Sequence, residues 1–532
     1  MSDSAVPVPP RLCDATLAGL PAHVARPAYD RAHTRIGVVH FGPGAFHRAH
    51  QAVYLDAVLD ADPAWAICAV SLHSPGVRDA LRPQDGLYTL VLQGERPALR
   101  VVGSIRELLC APQEPEAVLA RLADRDVRLV TLTITEKGYC LSADGVDLAH
   151  PDIVHDLASP ETPVSAPRSA IGWLVAGLRA RRDRGFEPFT VLSCDNLADN
   201  GGRLRRAVLQ FAAQLDPRLA DWIETGVAFP RSMVDSITPA SDDALRAWVA
   251  EQAGVVDAWP VQREPYTQWV VEDHFPHGRP PLERAGVVLS DDIAGYDRAK
   301  LRLLNAPHSA LAYLGSLLEI DTVAAAMRDP ALAGFVERLM RQDIVPTLKL
   351  PRGFDPDAYI DAILARFRNP AIAHRLAQIA WDGSQKIPVR LLGTIADALA
   401  AGRPIGRLCL PVAGWLHFVR RQARHGVPIV DPLADTLARV GAAGSGEAKG
   451  EAVGGTAGGT VGQMVDGVAG GTTGKVAGGA AGGVDAFLAL DAVFAPLSAD
   501  ERFVAALRRA YAALGDASPA AVAAALAADG RA

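Results

Sequence analysis

Apolar and polar positions change their pattern near the middle of the chain. The first half carries short, nearly unbroken apolar runs: Arg35-Ile-Gly-Val-Val-His-Phe41, Trp65 to Leu72, Leu87 to Leu92, Val127 to Ile134 and Phe189 to Cys194. Runs that are apolar on both faces are what strands buried on both sides require. Helix-spaced segments such as Pro115 to Ala123 and Ile171 to Arg182 lie between several of them. This alternation predicts an α/β domain with a mostly parallel sheet covered on both faces. Beyond about residue 290 the spacing is helical, at Tyr296 to Leu318, Leu332 to Met340, Pro356 to Arg368, Ile372 to Ala380 and Ile395 to Ala401. A mostly α-helical C-terminal domain is therefore expected. The resulting division is an extension over 1–32 that wraps or frays, an α/β domain over 33–289 and a helical domain over 290–532.

Composition changes this picture in one place. The chain has 532 residues, 49% of them apolar and 21% charged, with 48 glycines. About 17 of roughly 43 residues from Gly441 to Gly483 are glycine, which accounts for the excess over ordinary usage. Such a segment buries too little apolar surface to offset the entropy of ordering it, so 441–483 is expected to be a flexible insert in the helical domain. With 53 Lys+Arg against 60 Asp+Glu, the net charge of −7 offers no basic footprint for nucleic acid. Six scattered cysteines, with no Cys-x-x-Cys pair, suggest neither a disulfide framework nor a zinc site, and fit a cytoplasmic setting. The N-terminus lacks a signal-peptide pattern and no run is long and apolar enough to span a bilayer, so no membrane partner is expected.

Three constellations carry chemistry. Gly42-Pro-Gly44 ends the first strand run and leads into a helix pattern, Ala45 to Leu55. Glycines there permit a tight turn and close backbone approach to a pyrophosphate, although Phe46-His47 stands where a third glycine belongs. Past the second strand no acidic residue is presented to a ribose, and Arg78 follows shortly, so NAD and NADP both stay open. The second constellation is Lys300-x4-Asn305-x2-His308. At 100° per residue Asn305 lies about 140° and His308 about 80° from Lys300, so the three share one side of a helix that Leu301 and Leu304 anchor. Pro307 predicts a kink or loosened turn there. A lysine in a mostly apolar pocket takes a proton from an alcohol more readily, and an amide N–H aimed at the same oxygen stabilises the developing alkoxide. The third is Ser193-Cys-Asp-Asn196 with Asn200-Gly-Gly, where Asp195 or Asn196 is the expected helix cap and Asn196 a second amide donor.

Six ordered motifs resemble the mannitol dehydrogenase family of zinc-independent long-chain polyol dehydrogenases. They are His40 to His50, Thr133 to Tyr139, Ser193 to Asn196, Val234 to Pro239, Lys300 to Ser309 and Asp382-Gly-Ser-Gln-Lys386-Ile-Pro388. The resemblance spans nearly everything except the first 30 or so residues and the Gly-rich insert. It implies a Rossmann-type NAD-binding domain, a helical substrate domain, a monomer and no metal. It assigns Lys300 as general base, Asn196 and Asn305 as polarising amides and His308 as the residue that orients substrate. By the same resemblance Phe41, Gly42, Gly44, Ala45, Phe46 and Glu136 meet the cofactor, and Asp235 and Lys386 meet substrate hydroxyls. Two departures stand out: Ser236 replaces the arginine many members carry after Val-Asp, and Asp297 replaces a glutamate.

The stretch from His374 to Arg390 resembles the uronate-reductase branch, and Arg390 is suited to fork onto a carboxylate. D-Fructuronate and D-mannonate are therefore the expected pair, with mannitol and fructose as the alternative. A non-catalytic nucleotide sensor has no use for a base, and a zinc-dependent dehydrogenase needs ligand clusters that His47-x-x-His50 lacks.

Overall fold

The computed structural model describes residues 9–158, 166–443 and 482–531, so most of the Gly-rich insert, 444–481, lies outside the described residues. Two compact units divide the chain. One holds 1–298 with 350–354 and 369–372, and the other holds 299–349, 355–368 and 373–532.

The first unit is built on five parallel strands: β1 (Ile36–Phe41), β2 (Ala66–Ser71), β3 (Ile105–Cys110), β4 (Leu129–Leu132) and β5 (Thr190–Ser193). Their order is β5-β4-β1-β2-β3, every neighbouring pair parallel. The order reverses beside β1, which opens a crevice at the carboxyl ends of β1 and β4. Helices Pro115–Leu122 and Ala170–Asp183 cross over between strands, and both faces of the sheet are packed, which is why the strand runs are apolar throughout.

The expected run Leu87 to Leu92 is a strand, Tyr88–Leu92, outside that sheet. It pairs antiparallel with Ala98–Val102 and parallel with Val261–Arg263. A third sheet joins Ser232–Asp235, Gln268–Val271 and Val288–Leu289. The N-terminal stretch wraps from residue 9 onward: Val24–Ala25 pairs with Ala98–Val102, and Leu12, Leu20 and Val24 are buried against Val91, Leu99 and Val249.

The second unit is helical, and among its described residues no strand is formed beyond an isolated bridge between Thr322 and Arg375. Helix Ala306–Leu317 is apolar almost all round and is correspondingly buried, packed against helices Pro330–Arg338 and Gly406–His425. The helix expected over Ile372 to Ala380 is a single turn, Leu376–Ile379, because Arg375 is held extended by its bridge to Thr322. Asp529 ties the last helix, Pro519–Asp529, to Arg338 and Arg407, with contacts of 2.9 Å to each. No helix among the described residues is long and apolar enough to cross a membrane.

Candidate functional site

In the first unit the strand-to-turn junction at β1 is held from three sides. Gly42 has φ +88°, and a Cβ there would lie 2.2 Å from the Thr133 carbonyl oxygen at the end of β4. Only glycine fits that close approach. Gly44 differs: a Cβ there meets nothing nearer than the Gly42 carbonyl oxygen at 4.0 Å, so the turn has open space in front of it. The turn is braced by Thr133 Oγ1, which donates to the Gly42 carbonyl at 2.8 Å, and by Arg48, whose Nε donates to the Pro43 carbonyl at 3.3 Å. Arg48 is fully buried between the rings of Tyr88 and Trp259. The helix expected from Ala45 to Leu55 is broken at His50 (φ −124°, ψ −90°), whose Nε2 faces the Gln268 carbonyl at 2.9 Å. Phe41 is buried in β1, while Ala45 and Phe46 lie at the start of the short helix Ala45–Ala49.

His40 and His47 stack beneath this turn with ring centroids 3.3 Å apart. His40 meets the Thr131 and Thr133 hydroxyls at 2.7 and 2.9 Å. Burial lowers the His40 imidazole to about 3, and burial with His40, Arg48 and His50 nearby presses His47 well below the ordinary 6.5. Both imidazoles are neutral in the fold. The stability they contribute is complete above pH 6.5 and is lost as pH falls below that value, because the unfolded chain then binds protons the fold excludes. At pH 4.5 His40 alone costs about 3 kcal/mol. Buried Asp257 and half-buried Asp195, whose carboxyls are raised by desolvation, act in the opposite sense. Urea midpoints measured from pH 7.5 to 4.5 should fall steadily below pH 6.5; a flat profile to pH 5 would refute this reading of the pair.

At the end of β5 the expected helix cap is not where the Asx-rich turn suggested. Helix Asn200–Leu215 starts after Asp199, which sits in the left-handed region and makes no side-chain cap. Asp195 instead reaches sideways, accepting from the backbone N–H of Ile134 and Thr135 at 2.9 and 3.1 Å and from the Tyr139 hydroxyl at 2.7 Å. It thereby fixes the loop after β4 that carries Glu136, which is exposed. Asn200 Nδ2 donates to the Ser193, Asp195 and Ser232 carbonyls, so the turn presenting exposed Asn196 is anchored underneath. Asp235 is the buried last residue of strand Ser232–Asp235.

In the second unit Lys300 precedes a five-residue π-helical segment, Leu301–Asn305, followed by helix Ala306–Leu317. Pro307 cannot donate to the preceding turn and its ring crowds the Leu303 carbonyl, so the turn widens rather than kinks. The even 100° stepping expected between Lys300 and Asn305 therefore does not hold. Lys300 and Asn305 are both half-buried while Arg302, Leu303 and Leu304 are buried. His308 lies deeper, tilted against Phe367 at 4.5 Å and edge-on to His374 at 5.3 Å. Burial, then His374, Arg366 and Arg390, press its imidazole well below the ordinary value, so it is neutral, and its Nε2 has no hydrogen-bond partner among the described residues. Arg390 Nη1 donates to the Asn305 carbonyl at 3.3 Å and the Ser309 hydroxyl at 3.1 Å. Lys386 lies 3.8 Å from Asp382, with its ammonium lowered by burial and by Arg390.

The structure thus brings Asn305, His308, Lys386 and Arg390 into one neighbourhood of the helical unit, and Gly42, Gly44, Glu136 and Asn196 to the carboxyl edge of the parallel sheet. Sequence reasoning did not find Arg48 or Asp195 as supports. Both act through partners far along the chain, Trp259 for the one and Ile134 with Thr135 for the other.

A five-stranded parallel sheet in this order, with a Gly-x-Gly turn at the reversal, defines a Rossmann-type unit. Residues 36–284 match the family model for the mannitol dehydrogenase Rossmann domain, and residues 292–453 the model for the mannitol dehydrogenase C-terminal domain. The chain belongs to the mannitol dehydrogenase family and is an oxidoreductase. It is 42% identical to the D-mannonate oxidoreductase of Escherichia coli K12 over 420 residues, covering 77% of this chain and 86% of that one. It is 41% identical to a mannitol 2-dehydrogenase of Aspergillus fumigatus over 420 residues, covering 76% and 83%. The structure of Pseudomonas fluorescens mannitol 2-dehydrogenase in ternary complex with NAD and D-mannitol matches with a TM-score of 0.74 at 36% identity, covering 98% of this chain and 99% of that one.

Proposed function

We propose that this protein is an NAD-dependent, zinc-independent reductase that interconverts a keto sugar acid and its aldonate, D-fructuronate and D-mannonate. The observation that carries the substrate class is Arg390. Its guanidinium is held against Asn305 and Ser309, next to His308, and has no carboxylate partner among the described residues. A sugar carboxylate supplies the missing counter-charge in bidentate form.

The open space before Gly44, above a Gly42 that tolerates no side chain, fits a pyrophosphate laid along the backbone. The nicotinamide supplies a hydride acceptor or donor when bound. Arg78, the cation nearest the end of β2 in sequence, is already engaged by Glu114 at 2.9 Å and Asp79 at 2.7 Å. Burial tends to raise Glu114, but Arg82, Arg78 and the Cys110 N–H hold its carboxyl down to about 2. An arginine so neutralised is a poor receptor for a 2′-phosphate, which supports NAD over NADP.

In the oxidation direction Lys300 takes the proton of the reacting hydroxyl, and in reduction it returns one to the carbonyl oxygen. The Asn196 and Asn305 amides donate to that oxygen and stabilise the developing alkoxide. Neutral His308 uses its unpartnered Nε2 on a substrate hydroxyl, and Asp235 and Lys386 hold others. Residues 33–289 serve the cofactor and also carry Asn196 and Asp235, and 290–532 carry the other substrate contacts.

Steady-state rates with fructuronate, tagaturonate and fructose, each with NADH and NADPH, test the reading. Fructuronate with NADH should give the highest kcat/KM, and Arg390→Gln should lower it roughly tenfold or more, about 1.4 to 3 kcal/mol, with fructose little changed. A tenfold preference of the native protein for fructose, about 1.4 kcal/mol in the transition state, would sink the uronate assignment. It would leave mannitol 2-dehydrogenase, the second reading, which rests on the nearly equal identity to that relative.

A further inference from the structure

The loop that leaves Tyr139 enters a two-stranded hairpin, Leu141–Ser142 with Gly145–Val146, and then a turn that opens helix Pro151–Ala158. Gln210 pins the hairpin from beneath: its Oε1 accepts from the Val146 N–H at 2.9 Å and its Nε2 donates to the Asp144 carbonyl at 3.0 Å. The Asp147 N–H donates to the Cys140 carbonyl at 2.8 Å, and the His150 N–H to the Asp147 carbonyl at 3.0 Å. This framework brings Cys140, His150 and Asp152 together, with one ligand atom from each lying within 4.8 Å of the others. Among the described residues it is the one group of three such side chains so placed.

We propose that Cys140, His150 and Asp152 bind a zinc ion, with water as the fourth ligand, and that the ion staples the Cys140 hairpin to the start of the helix. A thiolate, an imidazole and a carboxylate form a borderline donor set that suits zinc over the harder calcium and magnesium. Zinc bonds of about 2.0 to 2.3 Å place tetrahedral ligands roughly 3.3 to 3.8 Å apart, so shifts of about 1 Å complete the site. His150 Nδ1 and Asp152 Oδ2 are already 3.9 Å apart. His150 Nδ1 is the unprotonated nitrogen, since it accepts from the Asp152 N–H at 3.2 Å, and binding the ion exchanges that long hydrogen bond for a metal bond. The Asp152 carboxylate accepts no hydrogen bond among the described residues. Neighbouring carboxylates are committed elsewhere, Asp147 to the Ala149 N–H and Asp156 to Ser169, the Arg168 N–H and His155.

The Cys140 thiol is buried, whereas the His150 and Asp152 side chains are 35% and 34% exposed, so an ion can enter from solvent. The spacing Cys-x9-His-x-Asp follows no zinc signature, which is why composition and motif gave no sign of it.

The test uses the full chain stripped with chelator. Zinc titration against a metallochromic indicator should find one tight site per chain, and cobalt(II) should give a thiolate-to-metal charge-transfer absorption. Cys140→Ser should abolish that absorption and weaken zinc at least about tenfold. Asp152→Asn, which keeps the thiol, should weaken zinc with the absorption retained, so a folding failure of the serine variant does not decide the matter. Absence of cobalt–thiolate absorption in the native protein, or unchanged zinc affinity in both variants, overturns the proposal. Zinc should also raise the Tm of the native protein but not of Cys140→Ser, and an equal rise in both places the ion elsewhere.

Discussion

Lys300→Ala is expected to lower kcat by about 100- to 10,000-fold, the usual contribution of a positioned acid–base group, while the dissociation constant for NADH stays unchanged. That loss corresponds to roughly 3 to 5.5 kcal/mol of transition-state stabilisation. The split between kcat and cofactor affinity matters because Lys300 adjoins a π-helical segment, and disturbing that segment misplaces Asn305 as well. A general disturbance raises KM for substrate and lowers the Tm; loss of the base alone lowers kcat with KM and Tm little changed. A kcat within a few fold of the native value would refute the role of Lys300.

The second large effect separates two glycines of the same turn. Gly42→Ala places a methyl group 2.2 Å from the Thr133 carbonyl oxygen at a residue with φ +88°. Backbone strain and overpacking together should cost about 2 to 5 kcal/mol of stability, seen as a fall in Tm. Gly44→Ala, at φ −67°, meets no atom nearer than 4.0 Å and should leave the Tm nearly unchanged. It should nevertheless raise KM for NADH tenfold or more, because the methyl group fills the approach a pyrophosphate needs. A Gly44→Ala protein with native NADH affinity would show that the dinucleotide lies elsewhere.

What could be read from the sequence follows from how local each signal is. β1, β2, β4 and β5 are continuous β-branched or apolar runs, and they were legible within a residue or two. β3 was not, because Arg106 and Glu107 interrupt it. It is an edge strand, and Glu107 turns out to pair with Arg121 at 2.7 Å. Tyr88–Leu92 was legible as a strand but not as part of another sheet, since its parallel partner, Val261–Arg263, is more than 160 residues away. At the site, Lys300, Asn305 and His308 stood out because one helical stretch carries them all. Pro307 marked where the helix yields but not that it yields by widening. Asp195 was misread as a cap because the adjacent glycines and asparagines make a cap the cheapest local explanation. Its actual partners, Ile134, Thr135 and Tyr139, become neighbours only when β4 and β5 are paired.

The small mixed sheet bears on the order in which the molecule can assemble. It joins residues 24–25 to 98–102, 98–102 to 88–92, and 88–92 to 261–263, so its last strand leaves the ribosome well after its first. Until then the apolar faces of Val24, Val91 and Leu99 lack part of their cover, which comes from Val249, Ala253 and Val255. Closure of this layer is a late, long-range event of high contact order. Any pause in synthesis before residue 263 leaves an open strand edge, which is where this protein is most exposed to misassembly with copies of itself.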